Sequence, residues 1–168
     1  AVQVLDHLMR TVSKDERELF RRSPMIGLAM DSSPPVGTKS DYLVRNLLGV
    51  DRSTGRIGIN AKPSVDQKIQ FHVRDSEASS RELEHLLTQY RLRELETQVA
   101  GVLMFSCLGR GSYFYGEKDH DVLMLTEYIG DLPTAGFFCN GELGPIKRRT
   151  WVHGYTTVFG LFRSRGWS

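Results

Sequence analysis

The stretch "AGVLMFSCL", residues 100–108, is apolar almost throughout. A continuous apolar run of this length is typical of a central β-strand that is covered on both faces. The run ends on "GRG", residues 109–111, where glycine permits a tight turn with exposed N–H groups. We therefore place this strand inside a sheet.

A second strand of similar design follows further along the chain. "TAGFFC", residues 134–139, runs into the glycine loop "NGELGP", residues 140–145, and an amphipathic helix over 120–130 separates it from the first strand. A strand, helix, strand connection favours two parallel strands. Ligands collect at the carboxyl ends of such strands in open sheets, so we expect the two glycine loops to meet at one edge.

The remaining chain supplies further strands and helices. We predict an amphipathic helix over 2–13 with a continuation to about Phe20, a strand over 25–30, a loop over 31–40, a β-hairpin from 42–50 and 55–60, a half-buried strand over 68–75, a helix over 79–98 and a last strand over 155–163. Ser79 and Glu82 have the spacing of a capping box at a helix start. The order predicts an α/β (α+β) fold, a mixed sheet with helices packed on it as an open two- or three-layer sandwich.

The first glycine loop has the composition of a small-anion site. Gly109 and Gly111 leave backbone N–H groups accessible, and Arg110, which we expect to be mainly exposed, can contact a carboxylate or phosphate through two N–H groups. The alternative is a plain turn with a solvated arginine. The loop is not a phosphate-binding loop of the G-x-x-x-x-G-K-[ST] type.

The second loop carries Asn140, Gly141 and Glu142. Because glycines flank it, Glu142 is not expected in the core, and it either holds an ammonium group, caps neighbouring backbone or faces water. His153 precedes a glycine at the start of a strand, and a hydrogen bond to a neighbouring loop is its simplest role.

Two further chemistries remain open at the strand ends. Cys107 beside Arg110 could be an activated nucleophile with His120 or His153 as its base, although strand-end cysteines are usually inert. The set Cys107, Cys139, His120 and His153 could bind zinc if the fold gathered it. In the simplest interpretation the sequence Asp119–Asp121 caps the helix that follows.

Composition narrows the class of protein. The 168 residues carry a formal net charge of +2 with scattered basic residues, which argues against a nucleic-acid partner. No apolar run is long enough to span a bilayer, and the two cysteines lack the spacing of a disulfide scaffold. We expect a cytoplasmic protein with free thiols and no cofactor.

Several motifs together resemble one family. "FSCLGRG" at 105–111, "HDV" at 120–122, "GFFCNGELGPI" at 136–146 and "HGYT" at 153–156 closely resemble the C-terminal domain of the FIST family, the F-box and intracellular signal transduction proteins. Upstream segments, over 42–51, 55–59 and 70–75, match the same family. The resemblance thus covers residues 25–165.

The resemblance implies a sensory module for small ligands, with amino acids as the leading proposal. It implies a FIST C-terminal domain over 25–168 preceded by a helix, residues 1–24, that would be either the end of a FIST N-terminal domain or a lead-in helix. The motif positions that carry over as a ligand site are Cys107, Gly109, Arg110, Gly111, Asn140, Gly141, Glu142 and His153.

Three functions follow as hypotheses. The first is a non-catalytic ligand sensor that signals to a partner, in which Arg110 binds the carboxylate of an amino acid and Glu142 with Asn140 binds its ammonium group. The second is a protein-interaction module, as the F-box association suggests. The third is an enzyme that uses Cys107. We also expect an apolar patch where an N-terminal domain or a second copy would dock.

Overall fold

A computed structural model describes residues 1–30, 42–93, 98–146 and 149–163. Its helices are α1 (Val2–Thr11), α2 (Lys14–Arg22), α3 (Ser76–Arg93), α4 (Ser112–Tyr115) and α5 (His120–Ile129). Its strands are β1 (Met25–Ala29), β2 (Tyr42–Asp51), β3 (Arg56–Ile59), β4 (Ile69–His72), β5 (Val99–Cys107), β6 (Thr134–Cys139), β7 (Glu142–Ile146), β8 (Arg149–His153) and β9 (Thr157–Arg163). The chain divides into two compact units, Ala1–Asp75 and Ser76–Ser168.

The first unit, Ala1–Asp75, contains an antiparallel sheet in the order β3-β2-β1-β4. The predicted hairpin of β2 and β3 is confirmed, and Asp51 orders its turn by accepting hydrogen bonds from Ser53 and Thr54. Those bonds lower the pKa of Asp51 to about 2. The predicted N-terminal helix is two helices, because Ser13 and Glu16 form a capping box that starts α2. The predicted loop over 31–40 lies outside the described residues.

The second unit, Ser76–Ser168, contains a mixed sheet in the order β6-β5-β9 and a separate hairpin of β7 and β8. β5 and β6 are parallel, with Val102 opposite Thr134 and Cys107 opposite Cys139, as predicted. β5 and β9 are antiparallel. The core of this unit lies between the sheet and the helices α3 and α5 and consists of Leu83, Leu87, Val99, Val102 and Leu125.

Three local predictions in this unit are wrong. Among the described residues, helices cover only one face of β5, and Leu103 on its other face is 38% exposed. The helix α3 begins at Ser76, so Ser79 lies inside it instead of capping it. The segment after Cys139 is not only a glycine loop, because Glu142–Ile146 pairs with Arg149–His153 as a hairpin.

None of the helices in the described part of the chain combines the length and the apolar character needed to cross a membrane.

Candidate functional site

A cavity of about 560 Å³ lies within the second unit, beside β6. Its walls come from β5, from the whole exposed part of β6, from the segment after β5 and from the first turn of α5. The lining residues are Met104, Ser106, Arg110, Gly111, Ser112, Lys118, Asp119, His120, Asp121, Val122, Thr134, Ala135, Gly136, Phe137 and Phe138. The cavity therefore has an apolar wall of aromatic and aliphatic side chains and a polar end, the arrangement typical of small-molecule sites.

A buried ion pair forms the polar end. Nε and Nη2 of Arg110 donate to the two carboxylate oxygens of Asp121 at 2.7 and 2.9 Å. Nη1 of Arg110 donates to the Ser79 hydroxyl at 2.8 Å and to the Tyr155 carbonyl at 3.3 Å. Burial disfavours the charge on Arg110, but the hydrogen bonds and charge of Asp121 outweigh it and raise the pKa of the guanidinium.

His120 completes this cluster. Its Nδ1 lies 2.9 Å from Oδ1 of Asp121, and its Nε2 lies 2.8 Å from the Ser80 hydroxyl. The Tyr115 ring stacks on the imidazole, with centroids 3.6 Å apart and ring planes 5° from parallel. Contacts on both nitrogens and on one ring face fix the orientation of His120, whose side chain is buried.

Ser80, His120 and Asp121 stand in the hydroxyl, imidazole and carboxylate order of a hydrolase triad. The hydroxyl of Ser80 is also 2.9 Å from the Ser76 carbonyl within α3, and Ser80 does not line the cavity. Oδ1 and Oδ2 of Asp121 are both engaged by Arg110. The hydrogen bond between Ser80 and His120 connects α3 to α5. A ligand in the cavity would not contact the Ser80 hydroxyl, because Ser80 does not line the cavity.

The expectation that Arg110 is mainly exposed is wrong, because only 8% of its surface is accessible. The residue follows β5 in a short 3-10 turn, Leu108–Arg110, which aims its side chain at the first turn of α5. Four of its N–H···O contacts go to protein atoms. Arg110 and Gly111 line the cavity, but the guanidinium is committed to Asp121.

The expectation that Glu142 lies outside the core is also wrong, because only 2% of it is exposed. Oε2 accepts hydrogen bonds from the N–H and hydroxyl of Thr156 at 3.3 and 2.7 Å. Oε1 accepts from the thiol of Cys139 at 3.3 Å. Glu142 therefore caps the backbone that leads into β9, which was one of its three alternatives, and it does not line the cavity.

The other predicted site residues lie away from the cavity lining. Cys107 is buried, and its N–H donates to the Thr156 carbonyl at 2.9 Å. Partial burial and the hydrogen bond to Glu142 raise the pKa of the Cys139 thiol. Nε2 of His153 lies 3.0 Å from the Gly144 carbonyl, the simple role expected of it. Gly109, Asn140 and Gly141 are also absent from the cavity lining.

The chain therefore brings the two strand ends together, as expected, but it divides the predicted residues between two places. Arg110 and Gly111 line the cavity, whereas the other six predicted residues do not, namely Cys107, Gly109, Asn140, Gly141, Glu142 and His153. Among the described residues, no group of three or more His, Cys, Asp or Glu side chains is placed to hold a metal ion.

Sequence reasoning missed the partners of Arg110. The segment Asp119–Asp121 was expected to cap α5, whereas Asp119 makes no side-chain cap and the side chains of His120 and Asp121 turn inward. Ser106, on the helix-bearing face of β5, bonds to the Thr157 hydroxyl at 2.7 Å and contacts Asp121 at 3.4 Å. The motif "HDV" was the one available signal for this cluster.

Comparisons with known proteins agree with the motifs. The family model of the FIST C domain matches residues 1–145. An uncharacterized protein of Mycobacterium tuberculosis is 37% identical over 158 residues, which are 94% of this chain and 41% of that protein. An uncharacterized protein of Mycobacterium bovis is 37% identical over 161 residues, 96% of this chain and 42% of that protein.

F-box only protein 22 of Pongo abelii is 24% identical over 133 residues, 70% of this chain and 33% of that protein. No solved structure matches the chain significantly. The chain spans about two fifths of the length of the mycobacterial relatives.

Proposed function

Because the chain belongs to the FIST C domain family, whose members are associated with signal transduction, we propose that it is a non-catalytic sensor that binds a small ligand in the cavity beside β6. The observation that carries this proposal is the cavity itself, with an apolar wall and a polar end within one unit. Its volume lies inside the range of about 300–1,000 Å³ that is usual for small-molecule sites.

The polar end suits binding better than catalysis. The side chains of Arg110, Asp121 and His120 are buried and bonded to one another, so each already has a partner within the protein. Cys107 is buried outside the cavity lining, which disfavours the thiol enzyme. The fixed cluster instead provides a rigid wall against which a ligand is oriented.

An amino acid remains the leading ligand class, with new partners for its charges. Lys118 and Asp119 are exposed and line the cavity, and they offer one ammonium and one carboxylate group side by side. In this proposal they contact the charged groups of the ligand in place of Arg110 and Glu142, because the charged groups of Arg110 and Glu142 already bind other side chains. The apolar wall with Met104 and Phe138 favours an apolar side chain on the ligand.

In this proposal the chain acts in the cytoplasm and passes ligand occupancy to a partner, either a FIST N-terminal domain or another signalling protein. Neither a nucleic acid nor a membrane is part of it. A protein-interaction role is the second candidate, and the exposed strand β6 favours it specifically.

The test uses two tryptophan substitutions on neighbouring exposed residues of α5. Val122 lines the cavity and Leu123 does not. We expect Val122→Trp to fill the cavity and abolish binding, while Leu123→Trp leaves binding unchanged. Saturation-transfer NMR with the twenty amino acids and a library of small fragments measures both. Binding that survives equally in the two variants, or no binding to wild type, rejects the cavity as the site.

The charge assignment has its own test. Asp119→Asn should weaken the binding of an apolar amino acid about tenfold and leave the corresponding carboxylic acid without an ammonium group unaffected. Isothermal titration calorimetry with leucine and 4-methylpentanoate compares the two. Equal losses for both ligands contradict the assignment of Asp119.

A further inference from the structure

The strand β6 is the outer strand of the sheet β6-β5-β9. Five consecutive residues, Thr134–Phe138, are exposed, and Phe137 and Phe138 are exposed by 64% and 55%. The main-chain N–H and C=O groups along an exposed strand edge of this kind can pair with another polypeptide.

The register with β5 indicates which main-chain groups of β6 have no strand partner among the described residues. The N–H of Val102 donates to the Pro133 carbonyl at 2.9 Å, and Val102 lies opposite Thr134. Because main-chain groups alternate in a parallel ladder, those of Ala135 and Phe137 turn toward β5. The N–H and C=O groups of Thr134, Gly136 and Phe138, which alternate with them, turn toward the other edge of β6, where no strand of the described residues pairs.

Natural sheets usually protect such an edge with charged side chains, proline or a bulge. Within Thr134–Cys139, which the structure describes completely, the sequence "TAGFFC" has no charge and no proline, and its pairing with β5 is continuous. The opposite outer strand differs, because β9 ends in Arg163 and its pairing with β5 shifts between Val99 and Gly101. One edge of this sheet therefore carries protecting features, and the other edge has neither these features nor a pairing strand within the described residues.

We propose that β6 is a docking edge that accepts an extended segment of a partner protein as an additional strand. This inference goes beyond small-ligand binding, since main-chain pairing along five residues selects a polypeptide. Side chains of the partner on the helix-bearing face enter the cavity beside Met104 and Val122. Those on the other face contact Phe137, whose ring packs edge-on against Phe105 at 5.2 Å.

The partner is an apolar segment, because β6 carries no charge and the adjoining surfaces are aromatic and aliphatic. A second copy of β6 fits less well. Antiparallel self-pairing centred on Gly136 would place two glycines opposite each other and leave the adjoining part of the cavity unfilled.

The first experiment selects nine-residue peptides from a random display library on the 168-residue chain and synthesises an enriched sequence. Amide hydrogen exchange then locates the pairing. We expect the peptide to slow exchange at Thr134, Gly136 and Phe138 by roughly tenfold or more, with little change at Ala135 and Phe137, which are already paired. Failure to enrich any peptide, or protection without this alternation, overturns the proposal.

The second experiment separates the main chain from the side chain at Phe138. Phe138→Ala removes the ring and keeps the N–H, whereas Phe138→Pro also removes an N–H that makes no bond to β5. We expect Phe138→Pro to bind the peptide about tenfold more weakly than Phe138→Ala in fluorescence anisotropy. Equal affinities of the two variants overturn the proposal.

Circular dichroism verifies the folding of both variants. If Phe138→Pro does not fold, Ala135→Lys places a charge on the edge, and Val152→Lys is its matched control on β8. Loss of peptide binding in Ala135→Lys alone supports the proposal, and unchanged binding overturns it. Sedimentation velocity tests whether wild type forms a dimer. A dimer that is lost in Phe138→Pro or Ala135→Lys would assign the edge to a second copy of the chain, and this result would also overturn the proposal.

Discussion

Arg110 and Asp121 form a buried two-pronged ion pair that joins the segment after β5 to the first turn of α5. Only 7% and 4% of the two side chains are exposed. A buried charge without its partner is strongly unfavourable, so the pair acts as a structural tie at one end of the cavity.

Asp121→Asn should destabilise the protein by roughly 3–5 kcal/mol, because it leaves the guanidinium of Arg110 buried without a counter-charge. Urea unfolding followed by circular dichroism measures the change. The matched control is Asp119→Asn, which alters an exposed carboxylate two residues earlier and should change stability by less than about 0.5 kcal/mol. Similar small effects of both substitutions would contradict the structural role.

Glu142→Gln should also destabilise the protein, by about 1–3 kcal/mol. Both oxygens of Glu142 accept hydrogen bonds, but a glutamine has only one side-chain oxygen. Its NH₂ group would therefore face the hydrogen-bond donor of either Thr156 or Cys139. Glu127→Gln on the exposed side of α5 is the control and should have little effect. If Glu142→Gln unfolds at the same midpoint temperature as wild type, the hydrogen bonds of Glu142 contribute nothing to the stability of the protein.

His72 should make the first unit sensitive to acid. Its Nε2 is buried without a hydrogen-bond partner among the described residues, and burial lowers its pKa. The unfolded chain, with an ordinary pKa of 6.5, therefore binds a proton first, and stability is lost as the pH falls below about 6.5.

His72→Phe should remove this part of the pH dependence. Urea unfolding of wild type and variant across that range measures it, and His85→Gln, at an exposed position of α3, is the control. A pH dependence that is the same in wild type and His72→Phe would refute the prediction.

Gly136→Ala should weaken the pairing of β6 with β5, because a Cβ at this position would overlap the Met104 carbonyl. We expect a loss of more than about 2 kcal/mol. Gly160→Ala is the control, since its Cβ would lie 3.7 Å from the nearest atom of Leu103, an ordinary contact. Differential scanning calorimetry compares the two variants, and equal tolerance would contradict the clash.

The topology could be predicted from sequence because it depends on local patterns. The apolar run of β5, the helix ending at Gly130 and the strand 134–139 together require a parallel crossover, and the structure confirms it. The partial exposure of β5 could not be predicted, since coverage depends on which other elements pack against the sheet.

The site was harder to predict because its contacts depend on tertiary placement. Nothing in the order of residues shows that the turn after β5 points Arg110 at Asp121. Glu142 was misjudged because its glycine neighbours suggested an open loop. Gly144 instead lies within the paired part of β7, opposite Trp151 on β8.

The order of strands in the second unit has a consequence for synthesis on the ribosome. β5 lies between β6 and β9, so one of its edges stays unpaired until the last strand, Thr157–Arg163, has been made. The hydroxyl of Ser106 on β5 likewise lacks its Thr157 partner until then. A nascent chain that has emerged only as far as β8 exposes apolar strand edges, and we expect it to depend on a holding chaperone until β9 closes the sheet.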